Sequence, residues 1–178
     1  MGEDMMQILK KAAQESNGQT RDIVIENEVP GITAEMYEWW GKNLNNTKYY
    51  KMWHPDHISF EVESTGDPAS PFIGHPTEKI GRYGPSTMNF GAEPRSKFPF
   101  KPRYKNYGVG NNYSKDGILL SYTYSSYEDG PRGLKIYDVH RWPARVPQEL
   151  VDALVKHCIE ETSNFPKFLP ELYKKMNP

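Results

Sequence analysis

The segment from Pro147 to Asn164 constrains this chain more than any other, because its apolar residues repeat with a helical period and two ionisable residues fall inside the repeat. Leu150, Leu154, His157 and Glu161 are spaced i, i+4, i+7 and i+11, which at ~100° per residue gathers them into a wedge of roughly 60°. Val151, Val155 and Cys158 form the neighbouring stripe. The spacing predicts a helix over 147–163, ended by Pro166 and followed by a short helix from Pro170. Such a helix must lie on a core, and His157 and Glu161 extend the side that does so. An ionised carboxylate buried there needs a cation, a proton or hydrogen bonds. A His and a Glu four apart lie one turn apart on one face and can reach one metal ion together. A plain His–Glu hydrogen bond at the core edge satisfies the same pattern. Cys158 reads as packing and Glu160 as a solvated residue.

A second group of candidate ligands is Trp53-His54-Pro55-Asp56-His57, just before an alternating stretch, Ile58–Glu63, that suits a half-buried strand. Pro55 stiffens the turn, and Asp56 can accept from a ligand imidazole. Spacing does not choose between His54 and His57. Nor does it fix a fourth ligand, for which Glu78 competes with Glu61, Glu63 and Glu93. His75 and His140 are candidate pocket residues, His140 equally a plain strand histidine.

The rest of the chain predicts a helix over 3–16, a strand over 21–27 and a helix over 34–44 capped by Thr33. Residues 65–116 are dense in Gly, Pro, Ser and Asn and predict loops and short strands that wall a pocket. Gly117–Ser125 and Gly133–Trp142 read as a hairpin around Asp129-Gly130-Pro131-Arg132-Gly133. Helices at both ends with antiparallel strands between them give an α+β fold. The 178 residues fit one domain, 1–178, with an N-terminal helix and strand in 1–28.

A formal net charge of −1 argues against a nucleic-acid partner, so the basic-aromatic run Phe98–Tyr104 reads as a surface loop. The single cysteine excludes an intrachain disulfide. With no signal-peptide pattern and no apolar run long enough to span a membrane, a cytoplasmic protein is expected. Gly108-Val109-Gly110 precedes no helix and is no phosphate loop. Aromatic residues make up 13% of the chain, enough to line a pocket for a small aromatic ligand.

Four ordered stretches resemble the 2,4-diacetylphloroglucinol hydrolase family, which includes phloretin hydrolase. They are Val29–Met36 with Trp39-Trp40, Tyr49–His57 with its W-H-P-D-H segment, Glu78-Lys79-Ile80-Gly81, and His157–Glu161 followed by Phe168-Leu169-Pro170-Glu171-Leu172-Tyr173. The histidine segment is one residue shorter than the family's usual form. The resemblance implies a helix-grip fold (Bet v 1-like, START-like), an antiparallel sheet wrapped around a long C-terminal helix. It implies zinc held by His57, Glu78, His157 and Glu161, with Tyr49 and His54 as catalytic residues. The implied activity is retro-Claisen hydrolysis of a carbon–carbon bond in an acylated phenolic or polyketide-like substrate. A metal-assisted cyclase, isomerase or lyase, or a non-catalytic small-molecule carrier, are the alternatives on such a fold. A homodimer is compatible with these readings.

Overall fold

The computed structural model describes residues 3–66 and 72–177. Helix α1 (Met5–Ser16) starts at Asp4, whose carboxylate accepts from the Met6 N–H, and buries Met5, Leu9 and Ala12. Strand β1 (Thr20–Pro30) leads to α2 (Ala34–Lys42), capped by the Thr33 hydroxyl as the sequence predicts. A third helix, α3 (Thr47–Trp53), then follows Asn46, whose side chain accepts from the Lys48 and Tyr49 N–H groups. At seven residues α3 is too short to show a periodic stripe, so only its cap is legible in the sequence.

Next come β2 (His57–Ser64), β3 (Phe72–Ile80), β4 (Tyr83–Thr87), β5 (Phe90–Glu93) and β6 (Asn106–Tyr113). The predicted loop-rich stretch 65–116 is thus largely strand, with residues 67–71 outside the described residues. Its strands hide because Gly74, Gly108 and Gly110 stand where an apolar alternation would normally show. The predicted hairpin is β7 (Leu119–Asp129) and β8 (Gly133–Pro143), and α4 (Gln148–Met176) closes the fold. The sheet runs β1-β8-β7-β6-β5-β3-β2, antiparallel throughout, with β4 paired beside β3. A multi-stranded antiparallel sheet carrying one long C-terminal helix is the helix-grip architecture.

Helix α4 corrects the expected break at Pro166, since one helix of 29 residues passes through Pro166 and Pro170. Each proline removes one main-chain donor, a loss set against burial of Phe165 and Leu169. Phe165 stacks on Trp53 and meets Trp40 edge-on, and the Asn164 amide donates to the Trp53 carbonyl.

The core has two main parts. Leu150, Val151 and Leu154 join α1, Ile80, Tyr83, Leu120 and Trp142 at one end of α4. Phe165 and Leu169 join Val29, Ile32, Trp40, Leu134 and Ile136 at the other. Between them α4 buries His157, Glu161 and Thr162 instead of apolar residues. The inner face of the sheet is polar at the same level, with Thr123 and Ser125 on β7 opposite His140 and Asp138 on β8. Among the described residues no helix is long and apolar enough to cross a membrane.

Candidate metal centre

Three elements converge on this polar gap. α3 ends at Trp53, and His54 to His57 turn the chain into β2. β2 sets His57 opposite Glu78 of β3. α4 supplies His157 and Glu161 from above. The four side chains offer ligand atoms that all lie within 4.8 Å of one another, and all four residues are buried. His57 Nε2 stands 3.3 Å from Glu78 Oε2, 3.0 Å from Glu161 Oε1 and 3.3 Å from His157 Nε2, and His157 Nε2 is 3.7 Å from Glu161 Oε1. Tetrahedral coordination with bonds near ~2.0–2.1 Å separates neighbouring ligand atoms by roughly 3.3 Å. The spacing of these donors fits such an ion.

The neighbours orient the donors. His57 Nδ1 lies 2.9 Å from the Tyr50 carbonyl, which can only accept, so Nδ1 carries the proton and Nε2 presents its lone pair to the cluster. The Tyr50 ring stacks on His57 with centroids 3.9 Å apart, and its hydroxyl donates to Glu78 Oε2. Burial holds the His157 imidazole neutral, its pKa down to about 3, with His54 and His57 adding to the effect. Burial likewise lowers His57. Burial, then the nearby Glu161, pushes Glu78 up to about 7, and burial followed by Asp138 raises Glu161 well above the carboxylate range. Among the described residues no Lys or Arg forms an ion pair with either glutamate. Two neutral imidazoles and two carboxyls without a cationic side chain are a donor set that a divalent cation satisfies.

His54 is buried beside the cluster, its ring 4.2 Å from that of His157. Its Nδ1 accepts from the Asp56 N–H at 3.2 Å, so Nε2 carries the proton and faces Glu160 Oε2 at 3.3 Å. Glu160 is therefore partnered as well as exposed. The set His54, His57 and His157 also lies close enough to hold an ion. Tyr49 packs against Trp39, and Tyr50 is the tyrosine that reaches the cluster.

The competing glutamates lie elsewhere. Glu61 is exposed, Glu63 faces His75, and Glu93 bonds Asn111 and Lys97. His75 also meets Asn89, so it stands apart from the cluster. A cavity of about 500 Å³ opens between α2 and the β6–β7 pair, lined by Tyr37, Trp40, Trp53, Gly108, Ser125 and Tyr127 among others. Trp53, one of its lining residues, has its ring 5.2 Å from that of His57. Sequence reasoning missed Tyr37 as a lining group and Asp138 as a neighbour of Glu161, since each sits in a stretch with an ordinary helix or strand pattern.

Residues 14–98 match the family model of the DAPG hydrolase PhiG domain. The matched stretch contains His54, His57 and Glu78 and stops short of α4, so His157 and Glu161 join the set through the geometry. Among curated proteins, none matches the chain. The fold is similar to that of the crystal structure of Ara h 8.0201, at 11% identity and a TM-score of 0.56, over 86% of this chain and 99% of that one. It is also similar to the di-domain ARO/CYC StfQ from the steffimycin biosynthetic pathway, at 10% identity and a TM-score of 0.60. That likeness covers 90% of this chain and 55% of the di-domain protein. At such identities these likenesses establish the helix-grip fold.

Proposed function

We propose that the chain is a zinc-dependent hydrolase that cleaves a carbon–carbon bond in an acylated phenolic or polyketide-like substrate, with His57, Glu78, His157 and Glu161 as the metal ligands. The observation that carries this reading is the convergence of two neutral imidazoles and two buried carboxyls in a polar gap of the core. The match to the DAPG hydrolase PhiG domain supports the reaction class. A zinc ion held by these residues supplies Lewis acidity toward an acyl carbonyl and acidifies water.

In the overall reaction, water adds its hydroxyl to the acyl carbon. The bond from that carbon to the ring breaks, and its electron pair passes to the ring. The ring carbon takes up a proton, leaving a carboxylic acid and the deacylated ring. Tyr50 holds Glu78 through its hydroxyl and fixes the His57 tautomer through its carbonyl, whereas Tyr49, which the resemblance makes catalytic, packs against Trp39. The His54–Glu160 pair links the buried cluster to the surface and is the route by which a proton exchanges with solvent. Tyr37, Trp40 and Trp53 give the substrate cavity an aromatic wall.

Incubation of the purified protein with an acylphloroglucinol tests the proposal. The expected result is free carboxylic acid, lost on chelation and restored by zinc. A product of unchanged mass, or no acid from zinc-loaded protein, overturns the hydrolase.

A further inference from the structure

The wall of the chamber opposite α4 has no part in the metal centre, yet it is built for polar contact. Alternation along β8 puts Asp138 and His140 on the inner face between Ile136 and Trp142, which belong to the two apolar clusters. Both are only part-buried although they lie beneath α4, so their side chains border open space. The Ser125 hydroxyl donates to Asp138 Oδ1, and the Thr123 hydroxyl lies 3.3 Å from His140 Nδ1. Among the described residues, the second Asp138 oxygen and His140 Nε2 have no hydrogen-bond partner. Polar atoms that face open space in this way are free to take a partner from a bound molecule.

The space beside them is made by the Gly-Val-Gly motif. Gly108 pairs with Ser125 and Gly110 with Thr123, so both glycines face the same chamber. A Cβ built on Gly108 meets nothing within 4 Å, and one on Gly110 makes only an ordinary contact with the Gly91 carbonyl. Gly108 also lines the 500 Å³ cavity. The motif that fails as a phosphate loop leaves a flat floor.

We propose that Asp138 and His140 form a two-point hydrogen-bonding subsite for the ring oxygens of a polyoxygenated aromatic ligand, and that Gly108 and Gly110 leave room for the ring. Residues two apart on a strand stand ~7 Å from each other, a span that two side chains can close onto oxygens of one ring. Burial keeps His140 neutral, its pKa down to about 4, so it adds no charge to the chamber. Ser125 and Thr123 hold the two groups from behind. The subsite rests on the reading of the chamber as the substrate pocket, and it is a matter of binding, separate from turnover.

Its test compares trihydroxyacetophenone with acetophenone, by equilibrium binding to zinc-loaded and metal-stripped protein. The wild type binds the trihydroxy compound at least about tenfold tighter. Asp138→Leu and His140→Leu remove most of that preference without changing metal content, whereas Asp138→Asn, which keeps an acceptor, retains it. Full preference in both leucine variants overturns the subsite. Gly108→Val adds a side chain whose Cβ meets nothing within 4 Å and weakens binding of the trihydroxy compound; unchanged affinity there overturns the placement, whether or not the leucine variants fold. Selective binding without acid release overturns the hydrolase and leaves the subsite standing. Acid release with no selectivity does the reverse.

Discussion

Tyr49 and Tyr50 are neighbours in sequence but point ~100° apart on α3. Which one meets the cluster depends on how α3 rolls onto β2, and nothing local in the sequence sets that roll. The resemblance makes Tyr49 the catalytic tyrosine, while the packing brings Tyr50 onto Glu78. His157 and Glu161 are legible because their stripe is written in the helix itself. Tyr50→Phe is expected to weaken zinc binding about 10–100-fold, by competition with a chromogenic chelator, while the fold persists. His140 yields a pH prediction. Its folded pKa is pushed down by burial to about 4, below the ordinary histidine value of 6.5, so the unfolded chain binds more protons between those values. Stability therefore falls as pH drops through that window. Urea titrations at pH 7 and pH 5 should show a loss larger in the wild type than in His140→Gln by on the order of 1–2 kcal/mol.

At the scale of elements, α4 both positions His157 and Glu161 and shows where local rules yield to packing. Pro166 is a sound stop signal in isolation. The Trp40, Trp53 and Phe165 cluster carries the helix past it, and those contacts come from residues over a hundred positions apart. Phe165→Ala should destabilise the protein by about 3–5 kcal/mol in chemical denaturation. It should also lower zinc affinity, because Phe165 stacks on Trp53, which abuts His57. An unchanged stability would mean that α4 is held by something else. The strands in 65–116 are hard to read for a related reason: Gly108 and Gly110 of β6 border open space, and Gly74 and Gly91 stand where Phe60 and Asn111 pack close, so glycines replace the apolar residues that mark a strand.

For the molecule as a whole, two apolar clusters grip the ends of α4 with polar residues between them, His57, Glu78, His157 and Glu161 in one cluster and Asp138 and His140 on the inner face of β8, where the chamber is proposed. The α+β class and both ends of the helix-grip are visible in the sequence as periodic helices and a hairpin. The chamber is not, since it exists only when distant strands align. Zinc bound to the folded chain should raise its melting temperature with rising zinc concentration, and chelation should reverse the gain. The most direct measurement is the metal content of purified wild type and of five single alanine variants, at His54, His57, Glu78, His157 and Glu161. The account predicts one divalent ion per chain in the wild type and His54→Ala, and a loss of it in the other four. A wild type with no stoichiometric ion, or one that loses its ion in His54→Ala and keeps it in Glu78→Ala, would contradict the proposed centre.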